Sequence, residues 1–418
     1  MEKYGSFERN IAKILEKFPG IKQIIKKGYQ TINYVFYKKK NNFYLNQNCL
    51  LNSYDNNSGN FWGYYDKSPV NGNNVIYNGF SSLKKYNVRS LDSQDIILNG
   101  KKISQTTTWN WQQGSMLTWL DKDKIIHNFF EDNEYKSKII DINTKEERVI
   151  NYPIYSVSND GKFSISLNFS RLAKLRPDYG YFNKSYENIK EIDFNDGIYY
   201  VDLVKNESNL IISFEDLLRF HPRKEMENAW HKVNHIEISP NGERFIFHHR
   251  WFDDSGRKWS RLISANILGE DLYLLSDDNM VSHCIWKNNI EIAGWMRKKI
   301  GGDKYYLLQD KTEKYEIIGD GTLTEDGHPS FSKDGEWMLT DTYPNKSRMS
   351  SLLLYNMKNK EIIKLGEFFS SFKYYGETRC DLHPRFNSNG KGITFDSVHT
   401  GIRQLYEIDI TNILEDKN

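Results

Sequence analysis

One short unit recurs seven times along the chain, and this repeat constrains the fold more than any other feature. Each copy has an apolar strand, a turn that usually contains Asp-Gly or Asn-Gly, and a second apolar strand, as in HIEISPNGERFIFHH and HPSFSKDGEWMLTD. This pattern is typical of a β-hairpin, because the turn residues tolerate positive φ and the flanks alternate apolar with polar. The copies begin at Asp66, Ser115, Tyr155, His235, His283, His328 and His383. Hairpins repeated at roughly 40 to 55 residues predict a β-propeller.

Further strand candidates lie between the copies, so each unit supplies a four-stranded blade and seven units predict seven blades. We therefore expect an all-β, seven-bladed β-propeller over residues 42–418, preceded by an N-terminal helical segment over residues 1–41. The segment NFYLNQNCLLN, from Asn42, is expected to close the ring with the C-terminal strands near QLYEIDI. The interval between the third and fourth copies is longer than the others, which predicts an insertion at about residues 171–223.

The N-terminal segment has a different pattern. Apolar residues from Phe7 to Lys40 fall at helical spacing among many lysines, and Pro19-Gly20 interrupts them. Two interpretations stay open: a helix packed on the side of the propeller, or a basic surface helix that contacts a membrane or a partner.

Composition limits the classes of function. The formal net charge is only +2, which does not indicate a nucleic-acid binder. Three scattered cysteines do not suggest a disulfide framework, and the sequence shows neither an apolar run of membrane-spanning length nor a secretory segment. We expect a cytoplasmic protein. The aromatic content of 14% fits pleated sheet surfaces as well as sugar binding.

Four histidines occupy one register of the repeat. Each lies five residues before the same turn position in its copy, and the four are His235, His283, His328 and His383. In a propeller this position begins the innermost strand, so the side chains should converge at one mouth of the central channel. Convergent imidazoles suit Zn²⁺ or Mn²⁺, and Cys380, Asp381 or Cys284 could replace one of them. The alternative is a repeat residue that bonds the neighbouring blade.

Other stretches carry candidate substrate and catalytic groups. The TTTWNWQQG segment combines aromatic faces with amides and suggests either a sugar platform or an aromatic blade-edge loop. Cations and tyrosines at the start of the insertion, and the HHRW segment, suit an anionic sugar. The candidate substrate-binding residues are Trp109, Asn110, Trp111, Gln112, Arg176 and His248. The candidate catalytic residues are His127, Arg171, Tyr179, Tyr181 and Arg250.

The motifs GHPSFSKDGEWMLTDTYP, RCDLHPRFNSNGKGITFDS and RPDYGY give the chain a family likeness. Over roughly residues 60 to 410 the sequence resembles the propeller polysaccharide lyases, with the oligogalacturonate lyases and ulvan lyases as the nearest groups. The resemblance implies that histidines near the axis, most directly His328 and His383, bind Mn²⁺ or Zn²⁺. It also implies β-elimination of uronate-containing glycans. Oligogalacturonate lyases carry a second histidine two residues before the HP pair, where this chain has Asp381.

These observations predict a lyase that cleaves an acidic oligo- or polysaccharide by metal-assisted β-elimination. In that reaction Arg250 or Arg171 would neutralise the substrate carboxylate, and Tyr181 or Tyr179 would transfer a proton with His127 as partner. Two other functions stay open. One is another enzyme of surface-polysaccharide metabolism, such as a glycosidase or transferase, and the other is a non-catalytic propeller that binds glycan or protein.

Overall fold

The computed structural model describes residues 19–54, 58–80 and 91–415, and its sheets form a seven-bladed β-propeller, as the repeat predicts. Each blade is an antiparallel sheet, and strands that are consecutive in the chain are neighbours in the sheet except where N-terminal strands join the outer edges of the last two blades and one short strand of the first blade lies off its main path. The hairpin turns of the repeat supply the first two strands of a blade. Their glycines adopt positive φ, for example 74° at Gly242 and 71° at Gly335, which an L side chain rarely adopts.

Four blades contain four strands each, in chain order. Blade 2 contains β8 (Thr118–Trp119), β9 (Lys124–Glu131), β10 (Glu134–Asp141) and β11 (Glu147–Ile150). Blade 3 contains β12 (Ser156–Val157), β13 (Phe163–Leu167), β14 (Gly197–Asp202) and β15 (Glu207–Ser213). Blade 4 contains β16 (Trp230–Ile238), β17 (Arg244–Phe252), β18 (Lys258–Asn266) and β19 (Tyr273–Ser276). Blade 5 contains β20 (Val281–Trp286), β21 (Glu291–Lys298), β22 (Gly302–Gln309) and β23 (Tyr315–Ile318).

The other three blades lie where the chain starts and ends its circuit. Blade 1 contains β3 (Asn60–Phe61), β4 (Val70–Asn71), β5 (Asn74–Gly79), β6 (Gln94–Leu98) and β7 (Lys101–Thr106). Blade 6 contains β24 (Ser330–Phe331), β25 (Trp337–Asp341), β26 (Met349–Asn356), β27 (Ile362–Phe369) and, at its outer edge, β1 (Phe43–Leu45). Blade 7 contains β28 (Arg385–Phe386), β29 (Gly392–Ser397), β30 (Gln404–Asp409) and β2 (Leu50–Ser53).

The N-terminal strands close the ring. Strand β2 pairs antiparallel with β30, where Leu50 is opposite Asp409 and Leu51 opposite Ile408. Blade 7 therefore contains strands from both ends of the propeller, as expected from the NFYLNQNCLLN segment. Strand β1 adds a fifth strand to blade 6 by pairing with β27.

The extra residues of the long interval form two connections. The first, residues 168–196, joins β13 to β14 and contains helix α2 (Phe169–Leu175) and a 3₁₀ turn (Pro177–Tyr179). The second, residues 214–229, joins blades 3 and 4 and contains helix α3 (Phe214–Arg219). The predicted insertion at about 171–223 needs correction, because β14 and β15 fall inside it and belong to blade 3.

Helix α1 (Pro19–Tyr37) precedes the propeller, and helix α4 (Thr411–Glu415) follows its last strand. The part of the predicted N-terminal helix before residue 19 lies outside the described residues. The ring of Tyr34 is 5.5 Å from the rings of both Phe369 and Phe372, so α1 packs on the outer side of blade 6. Among the described helices, none combines the length and apolar character needed to cross a membrane.

Candidate functional site

The four register histidines lie together around the central axis. Neighbouring ring centroids are separated by 5.8 Å from His235 to His283, 4.1 Å from His283 to His328 and 4.3 Å from His328 to His383. Tyr64 completes the circle, since its ring lies 4.9 Å from His383 and 5.3 Å from His235. All four histidines are buried. The repeat thus brings residues that are far apart in sequence to one end of the channel.

Two of these histidines depart from ordinary strand geometry. The backbone φ is 51° at His235 and 44° at His383, in the left-handed region that non-glycine residues rarely adopt. The pairing of β16 with β17 shifts register between Asn234 and Glu237, on either side of His235. Such strain is often found at functional sites, where the surrounding fold holds a side chain in a required direction.

His328, Asp381 and His383 form a group that fits a divalent metal ion. Their ligand atoms all lie within 4.8 Å of one another. The Nδ1 atom of His383 donates to the Gly63 carbonyl at 2.6 Å, which leaves its Nε2 lone pair free. The Nε2 atoms of His328 and His383 are both buried and have no hydrogen-bond partner among the described residues. Buried, unpaired imidazole nitrogens beside a carboxylate are the donor set that such ions prefer.

The carboxylate of Asp341 holds both histidines of this group. Its Oδ1 accepts hydrogen bonds from the backbone N–H and the Nδ1 of His328, each at 2.8 Å. Its Oδ2 accepts from the backbone N–H of His383 at 3.2 Å. A carboxylate behind a ligand histidine fixes the ring orientation and directs Nε2 toward the ion. Asp341 is 2% exposed, so this arrangement is shielded from water.

The electrostatics of the group favour an ionised carboxylate. Burial alone would raise the pKa of Asp381, but Arg379 and His328 outweigh that effect and lower it. Burial likewise lowers the pKa of His328, but the carboxylates led by Asp341 outweigh it and raise the pKa above its usual value. For His383, burial and then the neighbouring His328 keep the pKa well below the usual value, so its ring is neutral.

His283 lies beside this group but has a different partner. Its Nδ1 donates to Asp326 Oδ1 at 3.2 Å, and Asp326 Oδ2 accepts a hydrogen bond from Ser282 at 2.5 Å. Burial and the adjacent His328 lower its pKa, so the ring is neutral near pH 7. A neutral imidazole whose Nδ1 is bound to a carboxylate presents Nε2 as a proton acceptor.

The first insertion connection reaches this mouth. The ring of Tyr179 is 5.4 Å from His235 and 6.0 Å from Tyr64. The guanidinium of Arg379 joins the connection to the metal group, because it contacts both Asp178 and Asp381 at 2.7 Å. Of the predicted catalytic tyrosines, Tyr179 therefore lies at the histidine mouth.

Three more basic residues lie near the mouth. Arg250 donates to His248 Nδ1 at 2.9 Å and to the Val281 carbonyl at 3.0 Å, next to the strand that carries His283. Its charge contributes to the lowered pKa of His235 and His248, in which burial is the largest cause. Arg176, whose side chain is 34% exposed, pairs with Asp178 at 2.9 Å. Lys232 is also buried here, but burial, together with Arg176 and Arg250, holds the pKa of its amine well below the usual value, so the arginines supply the charge. The mouth can therefore attract an anion.

Three predicted catalytic residues are not at the mouth. Arg171 is buried and pairs with Asp196 at 2.7 Å, so it holds the insertion together. Tyr181 is fully buried in the core, stacked 4.2 Å from Phe169. His127 is fully buried between blades 1 and 2, where Nε2 contacts Ser104 and burial lowers its pKa to about 4. The structure corrects all three assignments, because none of these groups can reach a substrate.

The predicted sugar platform is also corrected. Trp109 and Trp111 are 6% and 2% exposed and pack against each other and the phenylalanines of blade 1. Asn110 caps a turn by accepting backbone hydrogen bonds from Gln112 and Gln113. Gln112 donates to the carbonyl of Arg379 at 3.0 Å. The segment is an aromatic blade-edge loop that supports Arg379, which was the alternative interpretation.

Cys380 does not join the metal group. Its thiol lies in a small apolar cluster with Tyr374 and Val398, and burial raises its pKa to about 12. A thiol must lose its proton to bind a metal, so this environment opposes that role. Asp381, the next residue, supplies the ligand atom instead.

Sequence reasoning missed several residues of the site. Asp341 ends the second strand of the sixth copy and Tyr343 follows it, in the sequence MLTDTYP, and Asp326 lies two residues before His328. Tyr343 is 36% exposed, and its ring is 5.8 Å from His328. Tyr64 and Arg379 were missed as well. For Asp326, Asp341, Tyr343 and Arg379 the available signal was proximity in sequence to a register histidine. Tyr64 lies just before the first repeat copy, where no such signal exists.

Comparisons with known proteins give a fold likeness. No protein-family model matches the chain, and no curated protein matches it. An oligogalacturonate lyase from Vibrio parahaemolyticus shares 16% identity, with 89% of this chain and 98% of that chain aligned and a TM-score of 0.57. An oligogalacturonate lyase in complex with manganese also shares 16% identity, with 88% and 98% aligned and a TM-score of 0.59. TolB from Acinetobacter baumannii aligns over 76% of this chain and 78% of its own at 11% identity, with a TM-score of 0.39. The likeness to the two lyases shows the propeller fold.

Proposed function

We propose that this protein is a carbohydrate-active lyase that cleaves a uronate-containing oligo- or polysaccharide by metal-assisted β-elimination. The observation that carries the proposal is the group of His328, Asp381 and His383, with unpaired ligand nitrogens at the end of the channel. Two solved lyases share the fold, and one of them is in complex with manganese. The substrate class comes from the chemistry of the mouth and from the resemblance of the sequence motifs.

The metal would be held by Nε2 of His328, Nε2 of His383 and the carboxylate of Asp381. Mn²⁺ and Zn²⁺ both accept two imidazoles with a carboxylate. When bound, such an ion neutralises the uronate carboxylate and makes the proton on the adjacent carbon easier to remove. Both imidazole rings are already oriented without an ion, because Asp341 accepts a hydrogen bond from His328 and the Gly63 carbonyl accepts one from His383.

We assign the general base to His283. Its Nδ1–H is committed to Asp326, so the ring presents a lone pair on Nε2, and its centroid lies 4.1 Å from that of His328. A base in this position can take the C5 proton of a uronate whose carboxylate is held at the metal group. His283 thus takes over proton transfer from Tyr181 or Tyr179 and their partner His127, which the sequence suggested.

Arg250 is the cation that we assign to the substrate carboxylate and to the negative charge that develops on it. It is held by the carbonyls of Val281 and Ser282, directly before the proposed base. A fixed guanidinium in a shielded site stabilises such charge because it needs little reorganisation. Arg176 and Arg379 extend the positive charge toward solvent, where further uronate units of a chain would lie.

Tyr343 is the group that we assign to protonation of the leaving oxygen. It faces solvent beside His328, whereas Tyr179 is 1% exposed and packs against His235. Tyr179 is better suited to shape the wall of the mouth.

The partners of the carboxylates favour a lyase over a glycosidase. Asp326 accepts from His283, Asp341 from His328, and Asp381 pairs with Arg379. A glycosidase needs two carboxyl groups that face the scissile bond, whereas these three act as partners of other side chains. The imidazoles, the tyrosine and the arginine are therefore the groups left to react.

The test is a panel of uronate oligomers, incubated with protein that has been supplied with Mn²⁺ or Zn²⁺. Elimination produces an unsaturated uronate, which is followed by its ultraviolet absorbance. We expect His283→Gln to reduce the rate by about 10² to 10⁴-fold, the usual contribution of a general base. His127→Gln is the matched control and should retain its rate. If no uronate gives an unsaturated product, or if both variants behave alike, the proposal is wrong.

A further inference from the structure

Helix α1 presents an apolar face to solvent. Ile32, Val35 and Phe36 lie three and four residues apart, on one side of the helix, and are 59%, 71% and 79% exposed. Large side chains that are exposed together in this way usually mark a surface that contacts something else.

The opposite side of α1 fixes the direction of this face. Tyr34 packs on Phe369 and Phe372, and the amine of Lys27 lies 5.1 Å from the ring of Tyr375. These contacts bind the helix to the connection between β27 and β28, residues 370–384, which also carries Arg379 and Asp381. The apolar face is therefore held outward, on the same connection that leads to the histidine mouth.

The segment of chain that carries this face has charged side chains of one sign. From residue 17 to residue 54 the sequence contains seven lysines and no aspartate or glutamate. Lys38 and Lys40 are exposed directly after the helix, and Lys39 reaches back to Glu367 at 2.5 Å. The whole chain carries a formal net charge of only +2, so the positive charge is concentrated here.

Strand β1 continues the same surface. Phe43 and Tyr44 are 44% and 57% exposed. A groove of about 800 Å³ beside them is lined by Lys39, Lys40 and Lys364 and by Glu361 and Glu367, and Glu367 is paired with Lys39 and Lys364. Aromatic and aliphatic side chains surrounded by lysines suit the boundary between lipid headgroups and acyl chains, where the rings enter and the amines meet phosphate. We call Ile32, Val35, Phe36, Lys38, Lys40, Phe43 and Tyr44 the α1 surface.

We propose that the α1 surface binds the headgroup region of an anionic lipid bilayer, with helix α1 lying in the plane of the interface. The sign of the charge selects anionic over neutral lipid, and the exposed apolar residues provide the insertion that lysines alone would not. This binding is separate from the proposed lyase chemistry, because none of its residues belongs to the mouth.

The test is co-sedimentation of the full-length protein with vesicles of phosphatidylcholine alone or mixed with phosphatidylglycerol. We expect binding to the mixed vesicles that weakens as salt is raised. The double variant Val35→Ser, Phe36→Ser should weaken binding to the mixed vesicles at least tenfold. The double variant Lys38→Gln, Lys40→Gln should weaken it about fivefold for each lysine removed. The matched control is Ile300→Ser, which removes an 83% exposed side chain from blade 5 and should bind like the wild type.

Melting temperatures of all variants establish that the fold is intact. The proposal is overturned if the protein binds neutral and anionic vesicles equally, or if folded protein binds neither. So does a concentration-dependent dimer in sedimentation that the Val35 and Phe36 substitutions abolish, since a second copy would then cover the surface. Activity on soluble uronate oligomers should be unchanged in the α1 variants, so failure here is distinguishable from failure of the proposed function.

Discussion

Replacing Asp341 by asparagine tests the metal group through a residue that does not itself bind the ion. The carboxylate accepts hydrogen bonds from three N–H groups of His328 and His383. The asparagine side chain has one acceptor oxygen and one NH₂ donor. One of the histidine N–H groups would therefore face the NH₂ group and lose its hydrogen-bond acceptor. The rings then lose the support that aims Nε2 at the ion.

The magnitude follows from these contacts. Loss of a partner behind a ligand histidine typically weakens metal binding 10- to 100-fold. One or two buried donors left unpaired cost about 1–3 kcal/mol each in the free energy of unfolding. We therefore expect asparagine at this position to weaken Mn²⁺ or Zn²⁺ binding by one to two orders of magnitude and to lower the melting temperature of the metal-free protein.

The assay is isothermal titration of chelator-treated protein with Mn²⁺ and with Zn²⁺. Asp326→Asn provides the matched control, because Asp326 supports His283 and not a proposed ligand. It should bind metal like the wild type and lose lyase activity. If Asp341→Asn binds either ion with unchanged affinity, the reasoning about this group is refuted.

Three further predictions concern single residues. Tyr181→Phe should leave turnover unchanged and lower the free energy of unfolding by about 1 kcal/mol, because the Asn128 amide loses a hydrogen-bond acceptor. Tyr343→Phe should lower turnover about 10²-fold. Steady-state kinetics and denaturant unfolding distinguish the two effects. Arg250→Ala should impair cleavage of a free uronate far more than of its methyl ester, and equal losses on both would contradict the assigned role. Burial lowers the pKa of His127 from 6.5 to about 4, so the folded state binds fewer protons than the unfolded state between these values. The contribution of His127 to the free energy of unfolding is therefore complete above pH 6.5. It falls by up to about 1.4 kcal/mol per pH unit toward pH 4, and His127→Gln should reduce this pH dependence in denaturant titrations.

The sequence allowed the blade number and the convergence of the histidines to be predicted, because both follow from repetition. A turn that recurs at the same offset fixes the strand order within each blade. A residue that recurs at the same offset, such as His235 or His383, must lie at the same radius in every blade. His127 could have been set aside by this reasoning, since it lies in the second strand of its copy and not in the shared register.

The remaining site depends on contacts that repetition does not encode. Tyr179 and Tyr181 are two residues apart, yet one lies against His235 and the other is in the core, because the connection turns between them. The partner of Arg171 is Asp196, and only the folded insertion brings them together. Arg379 forms ion pairs with both Asp178 and Asp381. These residues lie in two separate connections, residues 168–196 and 370–384, and no sequence pattern indicates that the two are in contact.

The measurement that tests the account most directly is the mass balance of the cleavage reaction. The metal-loaded protein is mixed with a defined uronate oligomer, and the masses of the products are measured by mass spectrometry. Elimination adds no water, so the masses of the two fragments should sum to the mass of the substrate. A sum that is larger by one water would show hydrolysis and would contradict the assignment of His283, Arg250 and the metal group to a lyase.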